Sequence, residues 1–199
     1  MPPDAPITAL TPDEAWSRLD PLQPSLDADP ARHGLADLPY AQLKGPGFER
    51  LCYELLVAEG ATPRFFGRSG QSDLGVDIIV DRPAPSTLYQ CKNLSEPPSW
   101  QEIRQAVETF EQQWLGAADL PRPKAFVYCC PHPLDDKAHG EEWSEFRTEF
   151  EDRTQVSLDF RDKHYLDTRL RQAPDLVAGL FSPAYAEHFC GQDDWIGGP

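Results

Sequence analysis

Apolar residues recur along several segments of the chain at the three- and four-residue spacing of a helix that buries one face. The first of these segments ends at Gly60, a residue type that terminates helices. The second begins at Trp100 and keeps its periodicity as far as Leu115. Two weaker patterns follow towards the C-terminus. The predicted helices cover residues 47–59, 100–115, 141–151 and 164–172.

Short apolar runs between these helices predict strands. Apolar and polar residues alternate in Gly75–Asp81, whereas Lys124–Cys130 is almost wholly apolar, which is typical of a central strand covered on both faces. The proline-stiffened residues 82–86 are few enough to join two of the runs as a hairpin. The predicted strands cover residues 64–66, 75–81, 88–92, 124–130 and 156–160.

The order of these elements is α-β-β-β-α-β-α-β-α. It predicts an α/β fold in which a mixed central β-sheet is flanked by helices. The length of 199 residues suits one domain with short appendages. We expect that domain to cover residues 41–172, between an N-terminal arm at 1–40 and a C-terminal helical extension or linker at 173–199.

The N-terminal arm is defined by its prolines. Residues 1–40 hold eight of the 21 prolines, too many for a long helix or a central strand. One short helix is still expected, because Thr11 can cap it, Pro12 suits its first position and Glu14 completes a capping box. Trp16 would dock this helix on the domain.

Charge and cysteine content exclude several classes of protein. Lys and Arg number 18 against 33 Asp and Glu, a net charge of -15, so non-specific adhesion to nucleic acid or anionic membranes is not expected. The five cysteines lack the spacing of a disulfide framework. No apolar run has the length of a membrane span, and the first ten residues do not resemble a signal peptide. We therefore expect a cytoplasmic protein with no membrane partner.

Polar side chains interrupt the apolar pattern of the predicted hairpin. Asp77 lies in the middle of one strand, and Gln90 and Lys92 project from the same face of the next strand because they are two residues apart. Pairing of the two strands would bring Asp77 to the same spot. Glu49, on the preceding helix, is a fourth candidate. Two carboxylates, an amide oxygen and an ammonium resemble a hard-cation site with a cationic neighbour.

Each of these groups has a role in a hypothesis of phosphodiester hydrolysis. Asp77 would bind Mg²⁺ or Mn²⁺, and the metal would lower the pKa of the water that attacks phosphorus. Gln90 and the main-chain carbonyl of Cys91 would complete the coordination, and Glu49 would bind the ion directly or through water. Lys92 would position the attacking water or offset the negative charge of the pentavalent phosphorane.

These residues resemble the Mrr-type branch of the PD-(D/E)xK restriction-endonuclease-like nucleases. That branch combines a helix Glu, a D-x-G-x-D strand entry and a Q-x-K strand, and the resemblance covers about residues 46–95. It implies a restriction-endonuclease-like fold and a magnesium- or manganese-dependent endonuclease acting on DNA. The matching positions are Glu49, then Asp73, Gly75 and Asp77, then Gln90 and Lys92.

The C-terminal pattern from Leu170 to Gly191 also resembles the segment that follows such domains in bacterial defence proteins. In those proteins the nuclease is fused to a sensor ATPase. The resemblance implies an effector of restriction or anti-phage defence. Residues 41–92 carry no net charge and the acidity lies outside them, so we expect a homo-oligomer, or a fused or associated sensor, to be needed for engaging DNA.

Two other functions stay open at this stage. One is a nuclease that acts on RNA. The other is a catalytically silent nuclease-fold module that binds proteins through its acidic faces and the apolar stretch 173–190. In the loop before the site, Arg68 and Ser69 are candidates to hold a substrate phosphate, or belong to a plain flexible loop. Asp73 is expected to shape the turn rather than to bind metal.

A zinc site is a further candidate. Two cysteines and two histidines suggest it, because both residue types bind zinc. Their spacing matches no common zinc finger, so we interpret them as core and strand-end residues. Three tryptophans at helical positions are likewise expected in the core rather than as base-stacking platforms. The zinc candidates are Cys129, Cys130, His132 and His139, and the tryptophans are Trp100, Trp114 and Trp143.

Overall fold

The computed structural model describes residues 37–66, 74–81, 86–133 and 137–191, with the backbone alone for 137–139. The predicted helix of the N-terminal arm and the turn of the hairpin at 82–85 lie outside these residues. The helices are α1 (Lys44–Ala58), α2 (Trp100–Phe110), α3 (Lys137–Thr154), α4 (Lys163–Leu170), α5 (Pro174–Leu180) and α6 (Pro183–Tyr185). The strands are β1 (Pro63–Phe65), β2 (Ile78–Val80), β3 (Thr87–Cys91), β4 (Ala125–Cys129) and β5 (Ser157–Arg161).

Three short helical turns complete the elements. A 3-10 turn, Tyr40–Leu43, leads into α1. π-helical turns extend α2 over Glu111–Leu115 and α6 over Ala186–Cys190. Among the helices of the described residues, none is long and apolar enough to cross a membrane.

The five strands form one mixed sheet in the order β1-β2-β3-β4-β5. The first three strands pair antiparallel, and β3, β4 and β5 pair parallel. Each parallel pair is joined through a helix, α2 or α3, because parallel neighbours need a long crossover connection. The predicted α/β class with a mixed sheet between helices is confirmed. The predicted hairpin of β2 and β3 and the interior position of β4 are confirmed as well.

Alternate residues of each strand enter two different cores, because successive side chains point to opposite faces of a sheet. Ile78 and Tyr89 face α1 and the helices that follow β5. Ile79 and Leu88 face α2 and α3. The molecule is therefore a three-layer sandwich in which the sheet separates α1, α4, α5 and α6 from α2 and α3.

The C-terminal helices complete the core on the α1 side. Val177, Tyr185 and Phe189 have no exposed surface and share a cluster with Phe48 of α1. Tyr40, before α1, makes an edge-to-face contact with Phe181 at 5.9 Å. The buried apolar side chains of residues 174–190 therefore do not form the contact surface on which the hypothesis of a silent interaction module relied.

Gly75 has a left-handed backbone and lies directly against α2. Its φ is +75°, and a Cβ built on it would lie 3.4 Å from both the Cα and the N of Phe110. Because L-residues disfavour this conformation, we expect Gly75→Ala to lower the free energy of unfolding by roughly 1–2 kcal/mol. Urea denaturation followed by tryptophan fluorescence measures the change.

Gly140→Ala is the matched control for this substitution. Gly140 lies in α3, and none of the described atoms comes within 4 Å of a Cβ built there. Alanine in a helix interior is more favourable than glycine by roughly 0.5–1 kcal/mol, so this variant should gain stability. Equal losses in the two variants would contradict the role given to the backbone at Gly75.

Candidate metal and catalytic site

The hairpin of β2 and β3 sets Asp77 and Gln90 side by side. Ile78 pairs with Tyr89, so the next position along the ladder places Asp77 opposite Gln90. Gln90, two residues after Leu88, projects to the face covered by α2, and Asp77, directly before β2, lies at the same end of the hairpin. Both side chains are buried, with 6% and 4% of their surface exposed. Two buried polar residues thus lie at one end of a hairpin whose other residues are mostly apolar.

The carboxylate of Asp77 is held by the backbone of β3. Its Oδ2 accepts a hydrogen bond of 2.7 Å from the N–H of Cys91, and its own N–H donates to the carbonyl of Tyr89 at 2.8 Å. These two hydrogen bonds fix the carboxylate beside the backbone at the end of β3. Asp77 therefore reaches the site with a defined orientation.

A left-handed turn delivers Asp77 to this position. Leu74 and Gly75 both have positive φ, 53° and 75°. A leucine rarely adopts this conformation, and backbone of this kind persists where the surrounding structure enforces it. Here Gly75 lies against the backbone of Phe110, which leaves little room for a side chain. The turn and α2 together determine where β2 begins.

Gln90 contributes a buried oxygen that has no hydrogen-bond partner in the part of the chain that the structure describes. Among the residues that the structure describes, its Oε1 accepts no hydrogen bond although it is enclosed. A buried acceptor without a partner costs about 1–3 kcal/mol, and such groups are rare in native proteins. This amide oxygen could therefore accept a ligand near the end of β3, where Asp77 is bonded to Cys91.

Lys92, two residues after Gln90 in the sequence, lines a cleft together with Gln90. The cleft has a volume of about 340 Å³ and lies between the end of β3 and α2. The N–H of Lys92 donates to the carbonyl of Cys129 at 2.9 Å, so the backbone of Lys92 is anchored to β4. From α2 and β4, the cleft is lined by Glu102, Gln105, Ala106, Thr109 and Tyr128.

Glu102 places a negative charge on the α2 side of this cleft. Its carboxylate accepts hydrogen bonds from the hydroxyl and the N–H of Ser99, both at 2.7 Å, in a capping box that begins α2. The hydrogen bond from the Ser99 hydroxyl, with that from its N–H, lowers the pKa of Glu102. Opposite it, burial raises the pKa of Tyr128, which keeps the phenol neutral. The cleft thus carries a lysine and a fixed carboxylate on facing walls.

Glu49 lies in the second turn of α1, on the other side of the sheet, and does not line the cleft. The beginning of α1 is nevertheless tied to the site strand by Asn93. The Nδ2 of Asn93 donates to the carbonyls of Tyr40 and Lys44, each at 2.9 Å. The structure therefore brings Gln90 and Lys92 together in the cleft, with Asp77 bonded to the backbone of β3 at the same end of the hairpin, and it places Glu49 on the other side of the sheet.

The remaining candidates do not gather at this site in the described residues. Arg68, Ser69 and Asp73 lie outside those residues, as does the side chain of His139. Cys129 and Cys130 enter clusters on opposite faces of the sheet. The ring of His132 is bonded through Nε2 to the carbonyl of Leu94 at 2.9 Å. The four residues that suggested zinc are therefore not shown to form one ligand set.

Sequence reasoning missed the contribution of α2 to the site. Glu102, Gln105 and Thr109 recur at three- and four-residue spacing, on a stripe of α2 beside its buried apolar stripe. That polar stripe was a usable signal, because a helix that crosses from β3 to β4 must cover the face on which Gln90 lies. Asn93 gave no comparable signal, since its role depends on how α1 packs.

Comparisons with known proteins identify no relative of this chain. No protein-family model matches it, and neither curated proteins nor solved structures give a match.

Proposed function

We propose that this protein is a restriction-endonuclease-like, metal-dependent endonuclease that hydrolyses phosphodiester bonds of DNA. Two observations carry the proposal: the enclosed amide oxygen of Gln90 has no partner among the described residues, and the buried carboxylate of Asp77 is bonded to the N–H of Cys91, the residue that follows Gln90. Oxygen ligands of this kind suit Mg²⁺ or Mn²⁺. A cation held there would give the enclosed Gln90 oxygen the partner that it otherwise lacks.

The donor set of the chain fits such a cation. Asp77 and Gln90 would hold it, with the main-chain carbonyl of Cys91 as a third donor. When bound, the cation supplies a Lewis acid and a water of lowered pKa. Lys92, in the same cleft, would hold a nonbridging phosphate oxygen and offset the charge that develops there. Glu49, in the second turn of α1 on the other side of the sheet, is not among these donors.

The charge of the chain shapes how DNA is engaged. The net charge is -15, and α3 exposes Glu141, Glu142, Glu145 and Glu149 on the layer that also contains α2. Such a surface repels phosphates, most strongly at low ionic strength. We infer that assembly, as a homo-oligomer or with a sensor ATPase, supplies the positive surface, as suits an effector of anti-phage defence.

The test is cleavage of supercoiled plasmid by the wild-type chain and by Asp77→Asn, at high protein concentration with Mg²⁺, Mn²⁺ or EDTA. Asparagine keeps an oxygen that can accept from the N–H of Cys91 but removes the charge. We expect nicking by the wild type with either metal, none with EDTA, and none by the variant. Calorimetric titration with Mn²⁺ should show affinity lower by at least the roughly 10–100-fold that loss of an outer-shell partner costs.

Asp159→Asn serves as the matched control, since Asp159 is an exposed aspartate on β5. It should bind Mn²⁺ and cut like the wild type. A structured RNA tested under the same conditions distinguishes a nuclease that acts on DNA from one that acts on RNA. The RNA-directed alternative predicts that the RNA is cut and the plasmid is not. Unchanged Mn²⁺ binding and nicking by Asp77→Asn would overturn the site, and Mn²⁺ binding without cleavage of either substrate would overturn the activity.

A further inference from the structure

Three cysteines from different elements meet on the face of the sheet opposite the cleft. Cys52 lies on α1, Cys91 on β3 and Cys129 on β4, and their sulfur atoms all lie within 4.8 Å of one another. Each residue is buried, and none forms a disulfide. Among the described residues, this is the group of three or more potential ligands that lies close enough to hold one metal ion.

The parallel pairing of the strands creates this arrangement. Cys91 is the register partner of Cys129, and Cys129 is the register partner of Arg161 on β5. Partners in neighbouring strands project to the same face, so two thiols and a guanidinium follow one another across the sheet. Cys52 belongs to the buried stripe of α1, which lies over that row.

Arg161 supplies a fixed positive charge beside the thiols. Its side chain is only 16% exposed, lies over the rings of Tyr89 and Tyr165 at 5.1 and 4.5 Å, and pairs with Glu59 at 3.2 Å. Three thiolates with a dication carry one net negative charge, and with a monocation two. A buried cation next to such a group reduces the cost of enclosing it.

We propose that the thiolates of Cys52, Cys91 and Cys129 bind one soft cation, Cu⁺ or Zn²⁺. Thiolate ligands select these ions, whereas Mg²⁺ and Mn²⁺ prefer oxygen, so the set is distinct from the donors of the cleft. Each thiol releases one proton as its sulfur binds the metal, and no change of oxidation state is involved. Because the site is closed by packing, the ion enters during folding and ties α1 to both strands.

The site does not depend on the proposed nuclease activity, and its test uses metal content. The full chain is produced without a histidine tag in medium supplemented with zinc and copper, purified without chelators, and analysed by mass spectrometry for both metals. We expect about one equivalent per chain in the wild type, and the element found distinguishes Zn²⁺ from Cu⁺. Cys129→Ala should contain almost none.

Cys130→Ala is the matched control, because Cys130 is the next residue, is equally buried and lies on the other face of the sheet. It should keep one equivalent. Metal-free wild-type protein, or equal metal in the Cys129 and Cys130 variants, would overturn the proposal.

A second measurement on the wild-type chain covers the case in which a cysteine variant fails to fold. Protein refolded without metal is compared with protein refolded in the presence of Cd²⁺, a spectroscopic probe for thiolate sites. We expect a sulfur-to-cadmium charge-transfer absorption that saturates at one equivalent, and a melting temperature above that of the metal-free chain. Absence of the absorption would reject a three-thiolate site whatever the variants do.

Discussion

Replacement of Lys92 by methionine should lower the rate of plasmid cleavage by about 10²–10³-fold while leaving the protein folded. This range is typical for removing one group that stabilises charge in a transition state. Methionine keeps the apolar stem of the side chain in the cleft but removes the ammonium. The backbone of Lys92, which donates to Cys129, is unchanged by the substitution. The loss should therefore fall on kcat rather than on stability.

The measurement combines plasmid cleavage with Mn²⁺ titration and thermal melting. Mn²⁺ should still bind to Lys92→Met, because Lys92 is not one of the metal donors, and this separates its role from that of Asp77. Lys92→Arg should not restore the rate, since a planar guanidinium cannot replace a compact ammonium at one oxygen.

Lys124→Met is the control for the loss of one lysine. Lys124 is exposed and precedes β4, at the end of the sheet opposite Lys92. Cleavage by this variant should equal that of the wild type. Wild-type rates for Lys92→Met would show that the lysine of the cleft has no part in the chemistry.

Phe110→Ala should be the most destabilising single truncation in the core beneath α2, with a loss of about 3–5 kcal/mol in the free energy of unfolding. Phe110 has no exposed surface and stacks on Phe126, with ring centroids 4.0 Å apart and planes 9° from parallel. A second ring, that of Phe150, lies at 6.4 Å. Truncation of Phe110 therefore leaves a cavity between the sheet and the two helices α2 and α3. Guanidinium denaturation measures the effect.

Two further variants calibrate this result. Phe110→Leu retains most of the buried volume and should cost less than Phe110→Ala. Val57→Ala, at an exposed position of α1, should change stability by less than about 0.5 kcal/mol. Denaturation of Phe110→Ala at the wild-type midpoint would mean that the layer of α2 and α3 contributes little to cooperative folding.

The order of the elements was predictable because apolar periodicity is a local property. Residues 124–130 were predicted as a central strand, and β4 covers Ala125–Cys129. For α3 the prediction of 141–151 was too short, since the helix is Lys137–Thr154. The reason is that the large apolar residues that mark this helix, such as Phe146 and Phe150, lie within 141–151, whereas 137–140 and 152–154 contain no large apolar residue.

The prediction for β2 was too long for a different reason. The pattern suggested 75–81, but the strand is Ile78–Val80. Leu74 and Gly75 have left-handed backbone that a strand cannot contain. At Gly75 this backbone lies against Phe110 in α2, more than thirty residues away. A hydrophobic pattern carries no information about such a contact.

The same distinction applies to the sites. The pairing of β2 with β3, which brings Asp77 and Gln90 to one end of a short hairpin, is local, so the sequence was sufficient to predict it. The meeting of Cys52, Cys91 and Cys129 depends on the parallel register of β3 with β4 and on where α1 lies over them. Both features depend on contacts between residues that are far apart in the sequence. The four residues that suggested zinc from the sequence were accordingly a different set.

The hydrogen bond from the N–H of Cys91 to the carboxylate of Asp77 makes the position of that carboxylate depend on the stability of β3. The amide hydrogen of Cys91 is held by a side chain, not by a neighbouring strand, so it exchanges with solvent only when that carboxylate releases it. Its exchange rate is therefore a direct reading of the free energy of local opening at the end of β3. A ligand that holds Asp77 against the N–H of Cys91 should slow this exchange, and a substitution that loosens Asp77 should speed it. Both changes occur without unfolding of the rest of the molecule.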